Sequence, residues 1–317
     1  MKPENVAVIG AGTMGHGIAQ VFALAGFQVS LTDNDANVLE NAMLRIRANL
    51  ETFFEHGVVS EDEAVAALTR IKLVSNSIDA ASQAGFIVEA VFEDLTLKRQ
   101  VLRQLEEHCP TYAVIASNTS SFCVGDMACV LDRPEQFLIT HFWNPPHIIP
   151  LVEIVPGEHA STETIETTFR LFRDAGKCPV LVKKDVAGFV GNRLQHALRR
   201  EAIAIVAQDI ASPQDVDLVA RLGFGLRLPV VGPLETVDLG GLDLTLAIQS
   251  YLLPRLDRST EPSSLIQEKV ARGELGAKTG QGFFNWPSEQ AARTIRQRDE
   301  TLLKMIKLLK DQCCLPS

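Results

Sequence analysis

Short apolar runs recur through the first 185 residues of the chain, and stretches with helical apolar spacing separate most of them. Short runs rich in β-branched side chains predict buried strands, and apolar residues three and four positions apart predict helices. The predicted strands are residues 6–9, the run that ends at Asp33, and residues 71–74, 86–90, 113–116, 137–140, 151–155 and 180–182. This alternation of strand and helix predicts an α/β fold with a doubly wound, mainly parallel sheet.

A long helix is predicted after the second strand, over residues 36–56, because apolar side chains from Val38 to Phe54 fall at helical spacing. Gly57 ends this helix. Ser60 to Glu63 has the capping-box pattern that begins a second helix. We expect the two helices to form a hairpin that projects from the sheet.

Strand signals nearly vanish after residue 186, and helices are predicted over 189–208, 213–222, 242–251 and 288–312. The last of these helices carries one apolar stripe, formed by Leu302, Leu303, Ile306 and Leu309, which is typical of a core or dimer contact. The pattern therefore predicts two domains. The first, residues 1–186, contains the sheet and the hairpin insertion, and the second, residues 187–317, is all-helical and ends in an extension helix.

The first predicted strand runs into a glycine turn, Gly10-Ala-Gly12-Thr-Met-Gly15, and then into a helical pattern. In a dinucleotide-binding turn Gly10 allows the tight bend, Gly12 lets the backbone approach a pyrophosphate, and Gly15 lets the helix pack closely. Asp33 stands where a carboxylate accepts the adenosine ribose hydroxyls. A purely structural glycine turn would explain the glycines but not the acid. We therefore predict a Rossmann-type site, and Asp33 favours NAD over NADP because it would repel a 2′-phosphate.

Composition narrows the class of protein further. The chain has 317 residues and 46% hydrophobic residues, which is ample for two cores, and a formal net charge of −9. An acidic chain does not attract nucleic acid or a membrane surface non-specifically. The six cysteines show no Cys-x-x-Cys spacing, and no His, Cys or Asp cluster has metal-ligand spacing. We therefore expect a cytoplasmic protein with no metal and no nucleic-acid or membrane partner.

Polar segments follow two of the predicted strands, at residues 117–121 and at residues 141–147. Open α/β sheets bind ligands at the carboxyl ends of their strands, which would bring these segments beside the cofactor. His141 is placed to take the proton of a substrate hydroxyl, and Glu153 is the candidate to orient its ring. The alternative is a core histidine and a surface carboxylate. A His and a Glu that flank an Asn-Pro turn favour the catalytic interpretation.

These residues, with Gly10–Gly15, Glu93, Lys98, residues 188–193 and residues 278–283, resemble the L-3-hydroxyacyl-CoA dehydrogenase family over most of the chain up to Trp286. The resemblance implies a role in fatty acid metabolism and a helical domain that forms a homodimer. It implies that His141 is the catalytic base with Glu153 as its partner, and that Ser120 and Asn192 bind the substrate oxygen. The implied cofactor-binding residues are Gly10, Gly12, Thr13, Met14, Gly15, Asp33, Glu93, Lys98, Asn144 and Lys278.

Two departures from the family pattern concern the substrate. The lysine with which the family's hairpin meets CoA phosphates is absent, since the matching stretch, residues 51–57, holds Glu51 and Glu55. Arg227 is similar to the branch that acts on free hydroxy acids, the L-gulonate 3-dehydrogenase and lambda-crystallin relatives, and a guanidinium could bind a carboxylate at two points. A surface or interdomain ion pair is the alternative for Arg227. The sequence thus favours a short-chain L-3-hydroxyacyl-CoA as substrate, then a CoA-free 3-hydroxy acid, and last a non-catalytic crystallin-like or NAD-binding protein.

Overall fold

The computed structural model describes residues 4–311, so residues 312–317 of the predicted second domain lie outside it. The strands are β1 (Asn5–Ile9), β2 (Gln28–Thr32), β3 (Ile71–Val74), β4 (Phe86–Glu89), β5 (Val114–Ser117), β6 (Phe137–Phe142), β7 (Leu151–Pro156) and β8 (Cys178–Leu181). The α-helices are α1 (Gly15–Leu24), α2 (Ala36–Glu55), α3 (Glu61–Arg70), α4 (Ser77–Ala81), α5 (Leu95–His108), α6 (Val124–Ala128), α7 (Thr162–Asp174), α8 (Gly191–Ala207), α9 (Pro213–Leu222), α10 (Pro233–Gly240), α11 (Leu242–Leu252), α12 (Ser264–Ala271) and α13 (Ser288–Asp311). Short 3₁₀ segments lie at Pro134–Gln136, Phe224–Arg227 and Leu253–Arg255.

The eight strands form one sheet in the order β3-β2-β1-β4-β5-β6-β7-β8. Neighbouring strands are parallel, except that β6 and β7 are antiparallel. Strands β1 to β5 have the Rossmann order. Strands β1 to β3 are added toward one edge of the sheet, and β4 and β5 are added on the other side of β1. The predicted α/β fold with a doubly wound, mainly parallel sheet is confirmed.

The central strands are apolar on both faces because helices cover both faces. Val8 of β1 belongs to a buried cluster that includes Phe22 of α1 and Phe172 of α7. The next residue, Ile9, points to the opposite face and belongs to a second cluster, which includes Leu102 of α5. The two apolar layers hold the carboxyl end of β1, and with it the glycine turn, in place.

The predicted hairpin is formed by α2 and α3. The capping box at the start of α3 is present, because Glu63 N donates to Ser60 Oγ at 3.3 Å and Ser60 N donates to Glu63 Oε2 at 2.7 Å. The inner face of α2, which includes Ile46 and Leu50, is buried in the same cluster as α1. The hairpin is therefore an insertion after β2 that also contributes side chains to the core beneath the sheet.

The chain divides into two compact units, one containing the residues up to Asn192 together with residues 300–307, and the other containing residues 193–299 and the end of α13. In the first unit Leu303 of α13 is buried against Phe53 and Ile148, with Leu302 and Ile306 beside it. The predicted apolar stripe is thus a core contact in this part of the helix.

The second unit, as far as residue 299, consists of helices, 3₁₀ segments and isolated bridges between residues 276 and 285. The second, helical domain of the predicted fold class is confirmed. One boundary was wrong, because α8 begins at Gly191 and not at residue 189. Gly188 and Phe189 have φ angles of 76° and 49°, in the left-handed region that cannot continue a right-handed helix.

Candidate active site

The glycine turn after β1 uses its three glycines in three different ways. Gly10 has a φ of +100°, and a Cβ there would lie 2.5 Å from Ala90 O. A Cβ on Gly15 would lie 1.7 Å from the Gly10 carbonyl oxygen, so the close packing predicted against the strand is mainly with the turn itself. A Cβ on Gly12 would meet no atom within 4 Å. Gly12 therefore borders open space, which a side chain would narrow.

Helix α1 begins at this turn, and no side chain caps its N-terminus. Uncapped N–H groups at a helix N-terminus bind anions such as phosphate. Asp33, at the end of β2, accepts hydrogen bonds from Ala11 N at 2.7 Å and from Asp35 N at 3.0 Å. The acid is thus tied to the glycine turn. The open space at Gly12, the uncapped helix and the adjacent carboxylate fit the pyrophosphate and ribose of NAD.

His141 and Glu153 face each other across the antiparallel strands β6 and β7, where they are directly paired residues. His141 Nδ1 and Glu153 Oε2 are 2.8 Å apart. Both side chains are buried, with 6% of His141 and 1% of Glu153 exposed. The structure therefore brings together the two residues that the sequence analysis proposed as base and partner.

The other oxygen of Glu153 receives two backbone hydrogen bonds, from Val190 N and Gly191 N, both at 3.0 Å. The left-handed turn at Phe189 aims these two N–H groups at the carboxylate. Burial raises the pKa of Glu153, but the hydrogen bonds from His141, Gly191 and Val190 outweigh it, so the pKa lies below its ordinary value. An ionised Glu153 keeps a proton on Nδ1 of His141 and leaves Nε2 to act as the base.

Two aromatic rings hold the His141 ring in its orientation. The centroid of Trp143 lies 5.3 Å from that of His141, and the centroid of Phe189 lies 5.6 Å from it. Gly191 allows Trp143 to take this place, because a Cβ on Gly191 would lie 2.1 Å from Trp143 Cζ2. The sequence analysis did not single out Trp143 or Phe189 for this role, since the contacts depend on a turn that brings residues 189–191 beside β6.

Ser120 and Asn192 are neighbours in the first unit, since Asn192 Nδ2 donates to Ser120 O at 3.4 Å. Asn144 is exposed in the loop after β6. The buried ammonium of Lys177 holds that loop in place, because it donates hydrogen bonds to Pro146 O at 2.6 Å and to Ile149 O at 2.8 Å. Nothing in the local sequence pattern around Lys177 indicates this contact.

Glu93 and Lys98 lie close together, with Lys98 Nζ 3.2 Å from Glu93 Oε2. Glu93 is partly exposed, whereas Lys98 is buried to 1% exposure and also donates to Glu89 Oε1 at 2.7 Å. The sequence analysis missed Glu89. The sequence does contain a signal for Glu89, because an acid in an otherwise apolar strand is the same pattern that singled out Glu153.

Two further histidines contact each other in the first unit, and two candidates of the sequence analysis, Arg227 and Lys278, belong to the second unit. The ring of His147 packs against Phe53 and His16, with centroid distances of 5.9 and 6.0 Å. His16 Nδ1 lies 2.8 Å from Gly12 O, and burial lowers the pKa of His16. Arg227 and Lys278 are exposed side chains of the second unit, Arg227 at the end of a 3₁₀ segment.

Comparison with known proteins gives two family matches that together span most of the chain. Residues 5–186 match the NAD binding domain of 3-hydroxyacyl-CoA dehydrogenase, and residues 188–286 match the C-terminal domain of the same family. The cofactor of this chain is accordingly NAD. Within residues 4–311, no helix is long and apolar enough to cross a membrane.

Individual relatives differ in substrate. The chain is 31% identical over 307 residues to 5-formyl-3-hydroxy-2-methylpyridine 4-carboxylate 5-dehydrogenase of Mesorhizobium japonicum, covering 97% of this chain and 98% of that protein. A crystal structure of a dehydrogenase of that name, described as an NAD⁺-dependent dismutase, superimposes with a TM-score of 0.91 over 97% of this chain and 98% of that one. A probable 3-hydroxybutyryl-CoA dehydrogenase of Bacillus subtilis is 35% identical over 90% of this chain and 98% of its own length. The (S)-3-hydroxybutyryl-CoA dehydrogenase of Ralstonia eutropha is 32% identical, with a TM-score of 0.75 over 90% of this chain and 99% of that one.

Proposed function

Because this chain belongs to the 3-hydroxyacyl-CoA dehydrogenase family and uses NAD, we propose that it oxidises a substrate hydroxyl with His141 as the base. The observation that carries the proposal is the buried contact of 2.8 Å between His141 and Glu153. Two buried polar side chains in direct contact at the carboxyl end of a nucleotide-binding sheet are typical of a catalytic pair. The same contact supports catalysis over a purely structural or regulatory role.

The chemistry follows from the protonation of this pair. His141 Nε2 takes the hydroxyl proton as the C–H bond of the substrate breaks, and Glu153 stabilises the imidazolium that forms. Bound NAD supplies the acceptor for the hydride. Ser120 and Asn192 hold the substrate oxygen while it becomes a carbonyl, and Asp33 and the N-terminus of α1 hold the ribose and phosphates.

The proposed substrate is a small carboxylic acid that carries a hydroxyl group or a hydrated aldehyde and is not linked to CoA. The M. japonicum relative is named for a pyridine carboxylate, and it matches this chain through the extension beyond residue 286. The hairpin offers Glu51 and Glu55 where CoA phosphates would require a cation. Leu303 of the extension covers Phe53 on the same hairpin. These three features support a CoA-free substrate.

Arg227 is the proposed anchor for the substrate carboxylate. Its side chain is exposed in the second unit, and among the side chains of residues 4–309 it forms no ion pair with a carboxylate. An exposed guanidinium without a carboxylate among these side chains is compatible with a role in binding an anionic ligand. A guanidinium binds a carboxylate through two parallel hydrogen bonds.

The second candidate substrate is a short-chain L-3-hydroxyacyl-CoA. The 35% identity to the B. subtilis relative, which exceeds the 31% identity to the M. japonicum relative, supports it. That match covers 90% of this chain, whereas the match to the M. japonicum relative covers 97%.

The deciding experiment is a screen for NADH formation with L-3-hydroxybutyrate, L-gulonate, hydroxymethyl- and formyl-substituted aromatic carboxylates, and L-3-hydroxybutyryl-CoA. We expect turnover of a free acid. Arg227→Met should then raise its KM by roughly tenfold to a hundredfold, because a charge-assisted hydrogen bond contributes about 1.5–3 kcal/mol. Arg221→Met, another exposed arginine of the same unit, is the matched control. Turnover of the CoA ester alone, unchanged in Arg227→Met, would establish the second candidate.

We also propose that the protein forms a homodimer through the second unit. Helices α9–α12 contain no buried residue. Large apolar side chains on them are strongly exposed, among them Leu234 at 79% and Leu239 at 80%. Soluble monomers rarely expose so much apolar surface, and a second copy of the chain would cover it. Light scattering should give a dimer that Leu239→Glu dissociates and that Leu44→Glu, an exposed position of the first unit, leaves intact.

A further inference from the structure

Glu89 is a carboxylate at the centre of the sheet, and its side chain is 0% exposed. It ends β4, where it pairs with Ile9 of β1 on one side and with Ser117 of β5 on the other. A buried carboxylate is unfavourable unless it is paired and hydrogen bonded. The preceding residues of β4, 86–88, are apolar and buried, so an apolar side chain would satisfy packing at this place without that cost.

The two oxygens of Glu89 contact two different loops. Oε1 accepts hydrogen bonds from Lys98 Nζ at 2.7 Å and from Val91 N at 2.8 Å, at the loop that leads into α5. Oε2 accepts a hydrogen bond from Ser117 Oγ at 2.5 Å, at the start of the loop that contains Ser120. Glu89 thus connects the loop that carries Glu93 with the loop that carries Ser120.

Lys98 extends the contact to Glu93. Its ammonium is 3.2 Å from both Val91 O and Glu93 Oε2, and only 1% of the side chain is exposed. Burial raises the pKa of Glu93, but the hydrogen bond from Thr119 and the charge of Lys98 outweigh it, so the pKa lies below its ordinary value. Glu93 therefore stays ionised and fixed by Lys98.

Thr119 closes the connection from the other side. Its hydroxyl donates to Glu93 and accepts hydrogen bonds from Ser121 N and Phe122 N, each at 3.2 Å. Thr119 N in turn donates to Ser117 Oγ at 3.3 Å. The backbone on both sides of Ser120 is therefore tied, through Ser117 and through Glu93, to Glu89.

We propose that Glu89 is a positioning residue, which acts through Lys98 and Ser117 to place Glu93 toward the cofactor and Ser120 toward the substrate. The inference rests on the proposed function for the roles of Glu93 and Ser120. It differs from a merely structural role, for which an apolar pair in place of Glu89 and Lys98 would serve as well.

The test uses Glu89→Gln in the full-length chain, with NADH as the probe. Glutamine keeps the shape but lacks the charge that holds Lys98, and its amide can accept from one loop only. We expect NADH affinity, measured by fluorescence titration, to fall roughly tenfold or more. Hydrogen exchange at the amides of Ser121 and Phe122 should become faster. Neither readout needs a substrate, so a failed substrate screen would overturn the proposed function while leaving this inference standing.

The matched control is Glu106→Gln. Glu106 is 9% exposed and accepts backbone hydrogen bonds from Asp132 at 2.8 Å and Arg133 at 2.7 Å, away from both loops. This variant loses a buried charge of the same kind and should bind NADH within about twofold of the wild type. Equal effects of the two substitutions on NADH affinity would overturn the proposal.

A double variant, Glu89→Gln with Lys98→Met, separates charge balance from positioning, and it provides the measurement if Glu89→Gln does not fold. It removes the unpaired lysine charge and so restores stability, but it leaves Glu93 without its anchor. We expect its NADH affinity to stay low. Wild-type affinity in the double variant, or wild-type affinity and exchange in Glu89→Gln, would show that Glu89 serves stability alone.

Discussion

Glu153→Gln tests the catalytic pair most directly, because glutamate and glutamine differ in what they offer to three donors. Glu153 accepts hydrogen bonds from His141 Nδ1 at 2.8 Å and from Val190 N and Gly191 N, both at 3.0 Å. Glutamine has one accepting oxygen and one donating amino group. It cannot accept from both sides, so its orientation decides the state of His141.

Two orientations are available to the glutamine amide. If the amino group faces Val190 and Gly191, two buried N–H groups lose their acceptor, at about 1–3 kcal/mol each. If the oxygen faces them, both bonds are kept, and the amino group donates to His141 Nδ1. The second orientation is favoured by these energies. It forces the proton of the neutral imidazole onto Nε2, which then cannot act as a base.

The expected loss of kcat is therefore the whole contribution of the general base, about 10²–10⁴-fold, which corresponds to about 3–5 kcal/mol in the barrier. NADH affinity should be nearly unchanged, because Glu153 contacts His141 and the start of α8. The kcat loss is measured with the best acid from the substrate screen, beside His141→Ala and the double variant that combines Glu153→Gln with His141→Ala. The double variant should be no slower than His141→Ala, because the two residues act as one unit. A Glu153→Gln enzyme within about threefold of wild-type kcat would refute the tautomer argument.

The same variant gives a prediction for stability against pH. The pKa of Glu153 in the folded chain is below the ordinary pKa of a glutamate. Its contribution to stability is therefore fully present above the ordinary pKa of a glutamate and is lost as pH falls through the lower pKa of the folded state. Melting temperatures measured from pH 6 downward should fall less steeply for Glu153→Gln than for the wild type. Parallel curves would contradict the lowered pKa.

Two further pairs of variants use the geometry in the same way. Gly12→Ala should leave the melting temperature unchanged and abolish NADH binding. Gly15→Ala, whose Cβ would lie 1.7 Å from Gly10 O, should instead destabilise the fold by about 1–3 kcal/mol or more. A Gly12→Ala variant that binds NADH normally would contradict the proposed pyrophosphate site. Leu303→Ala should lower the free energy of unfolding in urea by about 2–3 kcal/mol. The side chain of Met305 on the same helix is 38% exposed, so Met305→Ala should lower it by less than about 0.5 kcal/mol. Equal effects of the two substitutions would contradict the packing of α13 against Phe53.

The sequence by itself determined the features that depend on local backbone and on periodicity. The strand runs and their order of alternation with helices predicted the doubly wound sheet, because a strand buried on both faces must be apolar throughout. The glycine turn and the capping box at Ser60 were equally readable, since a positive φ and a cap at the third residue are set by neighbours in the chain. The pairing of the glycine motif with Asp33 extended this to the cofactor.

Tertiary structure alone decided the details of the candidate site. The sequence indicated His141 and Glu153 as partners, but their direct pairing depends on the antiparallel register of β6 and β7. The second oxygen of Glu153 is held by the backbone N–H groups of Val190 and Gly191. The sequence pattern predicted that the helix begins at residue 189, whereas the left-handed turn at Phe189 delays its start to Gly191 and leaves both groups free to reach the carboxylate.

The sequence alone also could not predict two sets of contacts. One links Glu89 through Lys98 to Glu93, and the other joins Leu303 to Phe53. Each joins side chains whose distance depends on how strands and helices pack. A periodic pattern states which face of an element is buried, and it does not state which residue of another element lies against that face. Partners on different elements are therefore known only once the packing of the fold is known.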